Sequence, residues 1–393
     1  MTKSSRLFFI DAMRAWAILM MLQGHFIDGL LDPGFRDAAN PIYKTWLYFR
    51  GITAPVFFTV SGFIFTYLLI RSKQTGLSNP RIKKGVRRGL QLVLIGYLLR
   101  LNVFGLFQGR IYGGFYLVDV LHCIGLALLA IIGLYLLSVH RHKLLFPLLL
   151  LATTLVLFTF EPLYKQWAFP YLPEALANYV TKANGSVFTI IPWLGYSTIG
   201  GFLSVYFHRY HNAKWLYPIS IFASLAIGAA LIYGSSGFFM DSYRATGIQL
   251  FEMIQMNNYL YIRLGNVLVV FAVFMIVRSI LTAPWIIKIG QNTLSIYVIH
   301  FIILYGSFTG IGLYRFFKYS LSPDWAIGGA IAFMVACTVL ALVYDRHEVW
   351  VKERLHWVTV TIRGFFLQHA APQLKRVWVK GKAALTRLFG LAK

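Results

Sequence analysis

An arginine and a histidine share one face of the first apolar stretch of the chain. Residues 6–31 read RLFFIDAMRAWAILMMLQGHFIDGLL, and Asp11, Arg14, Gln23, His25 and Asp28 interrupt a segment otherwise fit for a membrane. On a helix, Arg14 and His25 stand three turns plus roughly 20° apart, about 16 Å along the axis. Asp11 precedes Arg14 by three positions and Asp28 follows His25 by three, each within side-chain reach. An ionisable group inside a bilayer costs at least ~2.5 kcal/mol, so such groups point to function rather than to anchoring. A guanidinium suits a phosphate or a polarised carbonyl. A neutral imidazole can take a proton or attack a carbonyl carbon. The stretch reads as one wall of an active site inside a membrane.

The elements that must hold these residues are membrane helices. The 393 residues are 58% hydrophobic and only 13% charged, and the apolar runs are long and continuous, which excludes a soluble domain and a β-barrel. The expected fold is all-α and polytopic, with about ten transmembrane helices near 8–31, 52–70, 89–106, 117–138, 145–161, 187–207, 215–235, 259–277, 292–312 and 325–344. With the N-terminus inside, the cytoplasmic segments hold 25 of the 37 lysines and arginines, so both termini are expected in the cytoplasm. The same distribution explains the formal charge of +24 without a nucleic-acid partner. Residues 1–344 form the expected membrane domain. Residues 345–393 form a basic tail, in which 373–390 reads as an amphipathic helix lying on anionic lipid at the cytoplasmic leaflet.

Several other polar positions stand out. The segment 71–88 is the most basic short stretch, and its Lys83, Lys84, Arg87 and Arg88 suit either anionic headgroups or the entrance for a polyanionic cytosolic ligand. Asp119 and His122 lie three apart near the start of the fourth span, as partners for the first helix or as a membrane-edge pair. Ser61 and Gly62 are small residues in the second span, where helices approach closely. Asn292, Ser295 and His300 interrupt the ninth. Cys123 and Cys337 both fall in apolar segments, which excludes a disulfide framework or thiolate metal cluster. No phosphate-binding glycine loop, spaced metal-ligand set or G-x-S-x-G elbow occurs, and no metal is expected.

Three short motifs in order carry a resemblance. Arg14, ten residues and His25, led by Ile10-Asp11-Ala12-Met13, resemble the first-helix signature of the acyltransferase-3 family. Phe57-Phe58-Thr59-Val60-Ser61-Gly62-Phe63 is similar to that family's FF-x-x-SGF. Thr53-Ala54-Pro55-Val56-Phe57 resembles more closely the related heparan-α-glucosaminide N-acetyltransferase group. Gly290-Gln291-Asn292-Thr293-Leu294-Ser295-Ile296-Tyr297-Val298-Ile299-His300 is similar to the family's late helix. Ala15 departs from the family, which usually has glycine after the arginine.

The resemblance implies transfer of an acyl group, most often acetyl, from acetyl-CoA or another cytosolic acyl-CoA. The acceptor would be a hydroxyl or amine of a glycan or lipid-linked sugar, in a bacterial cytoplasmic membrane serving the cell envelope. His25 is then general base or covalent acyl carrier, Asp28 orients it, and Arg14 meets a donor phosphate or the thioester carbonyl. Asp11 holds Arg14, while Lys83, Lys84, Arg87 and Arg88 gather the nucleotide end. Asn292, Ser61 and His300 are supporting residues. A transporter or flippase for a glycolipid or an anionic small molecule would place charges on one helix face in the same way.

Overall fold

The polar residues between the apolar runs become helix caps in the computed structural model, which describes residues 7–365. The first helix, α1, runs from Phe8 to Leu30. Asn40 accepts from the amides of Ile42 and Tyr43, with Pro41 at the first helical position, and so starts α2 (Pro41–Ile70). Asn79 caps α3 (Pro80–Arg100) in the same manner, and its Nδ2 donates 3.0 Å to the Leu69 carbonyl at the end of α2. Asp119 and His122 cap α4 (Val120–Ser138) reciprocally: the Asp119 amide donates to His122 Nδ1 at 3.1 Å. The chain continues through α5 (Leu145–Thr159), α6 (Ile190–Arg209), α7 (Leu216–Thr246), α8 (Tyr259–Ile276), α9 (Pro284–Gln291), α10 (Thr293–Tyr305) and α11 (Pro323–Phe365). Among the described residues there is no β-strand, only isolated bridges between Leu31 and Leu321 and between Asn102 and Phe308.

The protein is all-α, and among the described residues six helices are long and apolar enough to cross a membrane: α2, α4, α6, α7, α8 and α11. The pair α9 and α10, bent by 67°, passes as a seventh when taken together. Three further expected spans fall on helices that combine length and apolarity less well. In α1 the polar stripe lowers the hydropathy, α3 carries six basic residues, and α5 has only 15 residues.

Two boundaries differ from expectation. The second span begins at Pro41 rather than near 52, because the Asn-Pro start signal outweighs the polarity of the residues after it. Arg50 and Gly51 are therefore helical, and Pro55, which a start near 52 would put in the first turn, lies inside the helix. The basic segment 71–88 is not wholly a loop either; from Pro80 onward it is α3, with Lys83, Lys84, Arg87 and Arg88 exposed along it.

The chain divides into two units, residues 1–339 and 340–393. The second is helical as far as Phe365, and the surface helix expected at 373–390 lies outside the described residues. Within the first unit, one apolar core joins Phe9, Ile10, Met13 and Ala17 of α1 to Val56, Val60 and Phe63 of α2, Phe207 of α6, and Val267 and Phe271 of α8. Helices α2 and α6 touch backbone to backbone. A β-carbon at Gly62 would lie 1.9 Å from the Ser197 carbonyl oxygen, and one at Gly200 would lie 1.9 Å from that of Thr59. Only glycine permits that crossing.

Candidate active site

The break between α9 and α10 sets the site. Gly290 lets α9 lie directly on the start of α1, since a β-carbon there would stand 2.0 Å from the Asp11 carbonyl oxygen. The chain then turns at Asn292, whose side-chain amide donates to the Lys288 carbonyl at 3.1 Å. From that turn α10 climbs beside α1 in the same direction. Arg14 Nη2 donates to Thr293 Oγ1 at 3.0 Å, and His25 Nδ1 stands 3.1 Å from His300 Nε2. Arg14 also faces Asp11, 3.9 Å away. One helix thus buttresses both Arg14 and His25 of the first.

His300 is fully buried and His25 half-buried. Their rings stand 5.2 Å apart at 51°, and His300 packs edge-on against Tyr297 one turn earlier. The Tyr297 hydroxyl donates to Asp119 Oδ1 at 3.0 Å, while Arg100 Nη2 pairs with Asp119 Oδ2 at 3.1 Å. These contacts tie the end of α3 and the start of α4 to α10. Among the described residues, His25 Nε2 has no hydrogen-bond partner, whereas Nδ1 is engaged.

Two cavities meet at His25. The first, about 240 Å³, has Asp28, Arg50, Lys182 and Arg263 among its polar lining and Phe57, Phe58, Phe188 and Trp193 among its walls. The second, about 470 Å³, is bounded by Arg100, Asn102, Asp119, Phe301 and Tyr305. Val187 and Phe188 border both. The histidine therefore reaches two separate spaces from one position.

Other expected residues are distributed differently. Asp28 does not orient His25: its carboxylate pairs with Arg50, and the Nδ1 position it would have taken belongs to His300. The i+3 spacing was satisfied by a stronger partner, a guanidinium brought in by the early start of α2. Ser61 is half-buried beside the α2–α6 crossing and lines neither cavity. Asn292 forms the turn rather than a cavity wall. Neither cavity reaches Arg14, Lys83, Lys84, Arg87 or Arg88. Sequence reasoning missed Thr293, Tyr297, Arg50, Lys182 and Arg263. Arg100 and Asp119 were visible as opposite charges in neighbouring apolar runs, which is the signal that would have paired them.

A half-buried histidine with one nitrogen engaged, lining two cavities among apolar helices, is more than an anchor requires. The chain is a member of the acyltransferase-3 family, whose sequence profile, described as an acyltransferase domain, matches residues 7–342. It is accordingly a multi-pass membrane acyltransferase. No curated protein matches the chain.

Proposed function

We propose that the protein moves an acyl group, in the simplest case acetyl, from a cytosolic acyl-CoA to a hydroxyl or amine of a glycan or lipid-linked sugar, with His25 at the reacting centre. The observation that carries this reading is that His25 Nδ1 is engaged by His300 Nε2 at 3.1 Å while His25 Nε2 has no protein partner among the described residues. We assign the proton of this contact to His25 Nδ1, which leaves the lone pair on Nε2. In direct transfer, Nε2 takes the acceptor's proton as its oxygen or nitrogen bonds to the thioester carbonyl carbon. The carbon–sulfur bond then breaks, and the thiolate recovers the proton from His25. In the covalent route, Nε2 itself bonds to the carbonyl carbon and expels the thiolate; the acceptor then bonds to that carbon, the Nε2–carbon bond breaks, and the acceptor's proton passes to the freed Nε2 and on to the thiolate or water. Both routes need the same tautomer, so His300 serves either.

Arg14, held by Asp11 and Thr293, suits a donor phosphate or the thioester carbonyl on the cytosolic side. Lys83, Lys84, Arg87 and Arg88, exposed on α3, suit the nucleotide end of the donor. The reading includes ten spans with both termini cytoplasmic in a bacterial inner membrane, a basic surface tail after residue 344, and no metal.

The test is turnover of acetyl-labelled acetyl-CoA by purified protein, wild type against His25→Ala. Wild type is expected to release CoA and pass the label to an acceptor or to water, and His25→Ala to lose this at least a hundredfold. Equal thioester turnover in the two proteins would overturn the assignment.

A further inference from the structure

The smaller His25 cavity carries more positive charge than its walls neutralise. Arg50, Lys182 and Arg263 line it, against one carboxylate, Asp28, which is already paired with Arg50. Arg263 is tethered but not neutralised. Pro55 has no amide hydrogen, so the Gly51 carbonyl one turn earlier in α2 lacks its helical donor, and Arg263 Nη1 donates to it instead. A guanidinium has five donors, so this bond to a neutral carbonyl, with the Tyr259 ring 5.9 Å from the guanidinium carbon, leaves the charge without a carboxylate and most donors uncommitted.

Lys182 comes from the segment between α5 and α6, at the cavity's exposed lip. Among the described residues it forms no ion pair, and Glu161, the acidic group acting on it, is engaged by Lys165 at 3.5 Å and by the Tyr259 hydroxyl at 3.1 Å. Partial desolvation lowers the Lys182 pKa from its ordinary value, with Lys165 and Arg263 adding repulsion and Glu161 opposing it. Lys182, exposed at the lip, and Arg263, half-buried beside the walls of Phe57, Phe58, Phe188 and Trp193, have no carboxylate partner among the described residues, so an anion entering the cavity meets both. At about 240 Å³ the space falls below the roughly 300–1,000 Å³ of pockets for drug-sized ligands, so it suits one ring or headgroup rather than a chain.

We infer that this cavity takes the acceptor by an anionic group, a phosphate or a carboxylate, which Lys182 and Arg263 hold while the acceptor's nucleophile faces His25. The inference rests on the acyl-transfer reading above and adds the chemical class of the acceptor. It also separates two anion sites: the donor's phosphates belong with Arg14 and α3, and the acceptor's anion belongs at the other end of α1.

The experiment uses the full chain in phosphatidylcholine nanodiscs and measures binding of glucose 1-phosphate, glucuronate and glucose to wild type, Lys182→Gln, Arg263→Gln and Arg263→Lys. Wild type is expected to bind at least one of the two anionic sugars at least tenfold more tightly than glucose. Each glutamine variant should weaken anion binding by about tenfold, the low end for a charge-assisted hydrogen bond. Arg263→Lys keeps the charge and should recover part of the loss, and Lys182→Gln, at an exposed position, guards against misfolding as the cause.

A parallel set of nanodiscs containing phosphatidic acid separates the sources of the anion. Suppressed sugar binding there assigns a lipid headgroup, and unchanged sugar binding assigns a glycan-borne or soluble anion. Equal affinity for glucose and both anionic sugars, or no effect of either glutamine variant, overturns the inference. His25-dependent hydrolysis of acetyl-CoA by the same wild-type sample is the independent check. If hydrolysis is present and anion selectivity absent, only the acceptor class fails; if hydrolysis is absent, the donor reading fails.

Discussion

Replacing His300 with phenylalanine removes the hydrogen-bond partner 3.1 Å from His25 Nδ1 while keeping an aromatic ring in a fully buried position. In the tautomer proposed above, the lost bond leaves a His25 N–H unpaired beside apolar rings, at a cost of about 1–3 kcal/mol. If that cost falls on the tautomer whose Nε2 lone pair does the chemistry, kcat drops about 5- to 150-fold. The ceiling is the ~10⁴-fold loss seen when a catalytic histidine is held in the wrong tautomer. Binding of the donor does not involve this contact, so KM for acetyl-CoA should move little. His300→Gln offers a side-chain oxygen as acceptor and should recover most of the rate. The assay is initial-rate release of CoA from acetyl-CoA by purified protein, with kcat and KM resolved and Tm measured on the same samples. His300→Phe with kcat within about twofold of wild type would refute the tautomer argument. So would equal losses in the phenylalanine and glutamine variants at unchanged Tm.

Asp119→Asn strips the countercharge from Arg100 in a pair that is mostly buried, which should cost stability of the order of 3–5 kcal/mol, read as a fall in Tm. Because Asp119 also receives the Tyr297 hydroxyl, the variant should slow turnover through α10 even where it folds; a Tm within a degree or two of wild type would contradict the pairing. Gly200→Ala puts a methyl group 1.9 Å from the Thr59 carbonyl oxygen, so α2 and α6 must separate. The expected result is loss of folded protein, or a penalty above the usual ~1–3 kcal/mol of overpacking, measured as monodisperse yield and Tm in detergent. Gly133→Ala, where a β-carbon meets nothing within 4 Å, is the matched control.

Much of the site was legible because membrane chemistry makes polarity conspicuous. Arg14, His25 and His300 each interrupt an apolar run, and the helical period alone places the first two on one face. What the sequence did not carry was any three-dimensional pairing set by a break or a cap. The partner of His25 is decided by the turn at Asn292 and the bare backbone of Gly290, neither of which announces its angle. Asp28 illustrates the opposite error. Its spacing to His25 is local and real, but spacing cannot reveal that Arg50, drawn into α2 by the Asn40 cap, competes for the same carboxylate. Arg263 was illegible for a related reason: its place follows from the carbonyl that Pro55 leaves unpaired one turn away on another helix.

The distance between Arg14 and His25 has a mechanical consequence. The cavity at His25 descends along α1 to Met20 and Met21 and along α2 to Phe57, and it stops there. Arg14 lies six residues further, about 9 Å at the helical rise. Ala15, Ala17 and Ile18 are buried in that interval, and Phe57 packs on the core that includes Met13, Val56 and Val60. On the proposed reading, a donor entering from the Arg14 end would part this layer before its thioester met His25. Nothing in that layer is ion-paired, so opening it costs apolar contacts rather than broken charges. Arg14, by contrast, is anchored on Asp11 and Thr293 at its edge. On the same reading the arginine is a fixed post beside an apolar layer, and that layer would shield the thioester from water once a donor filled the space.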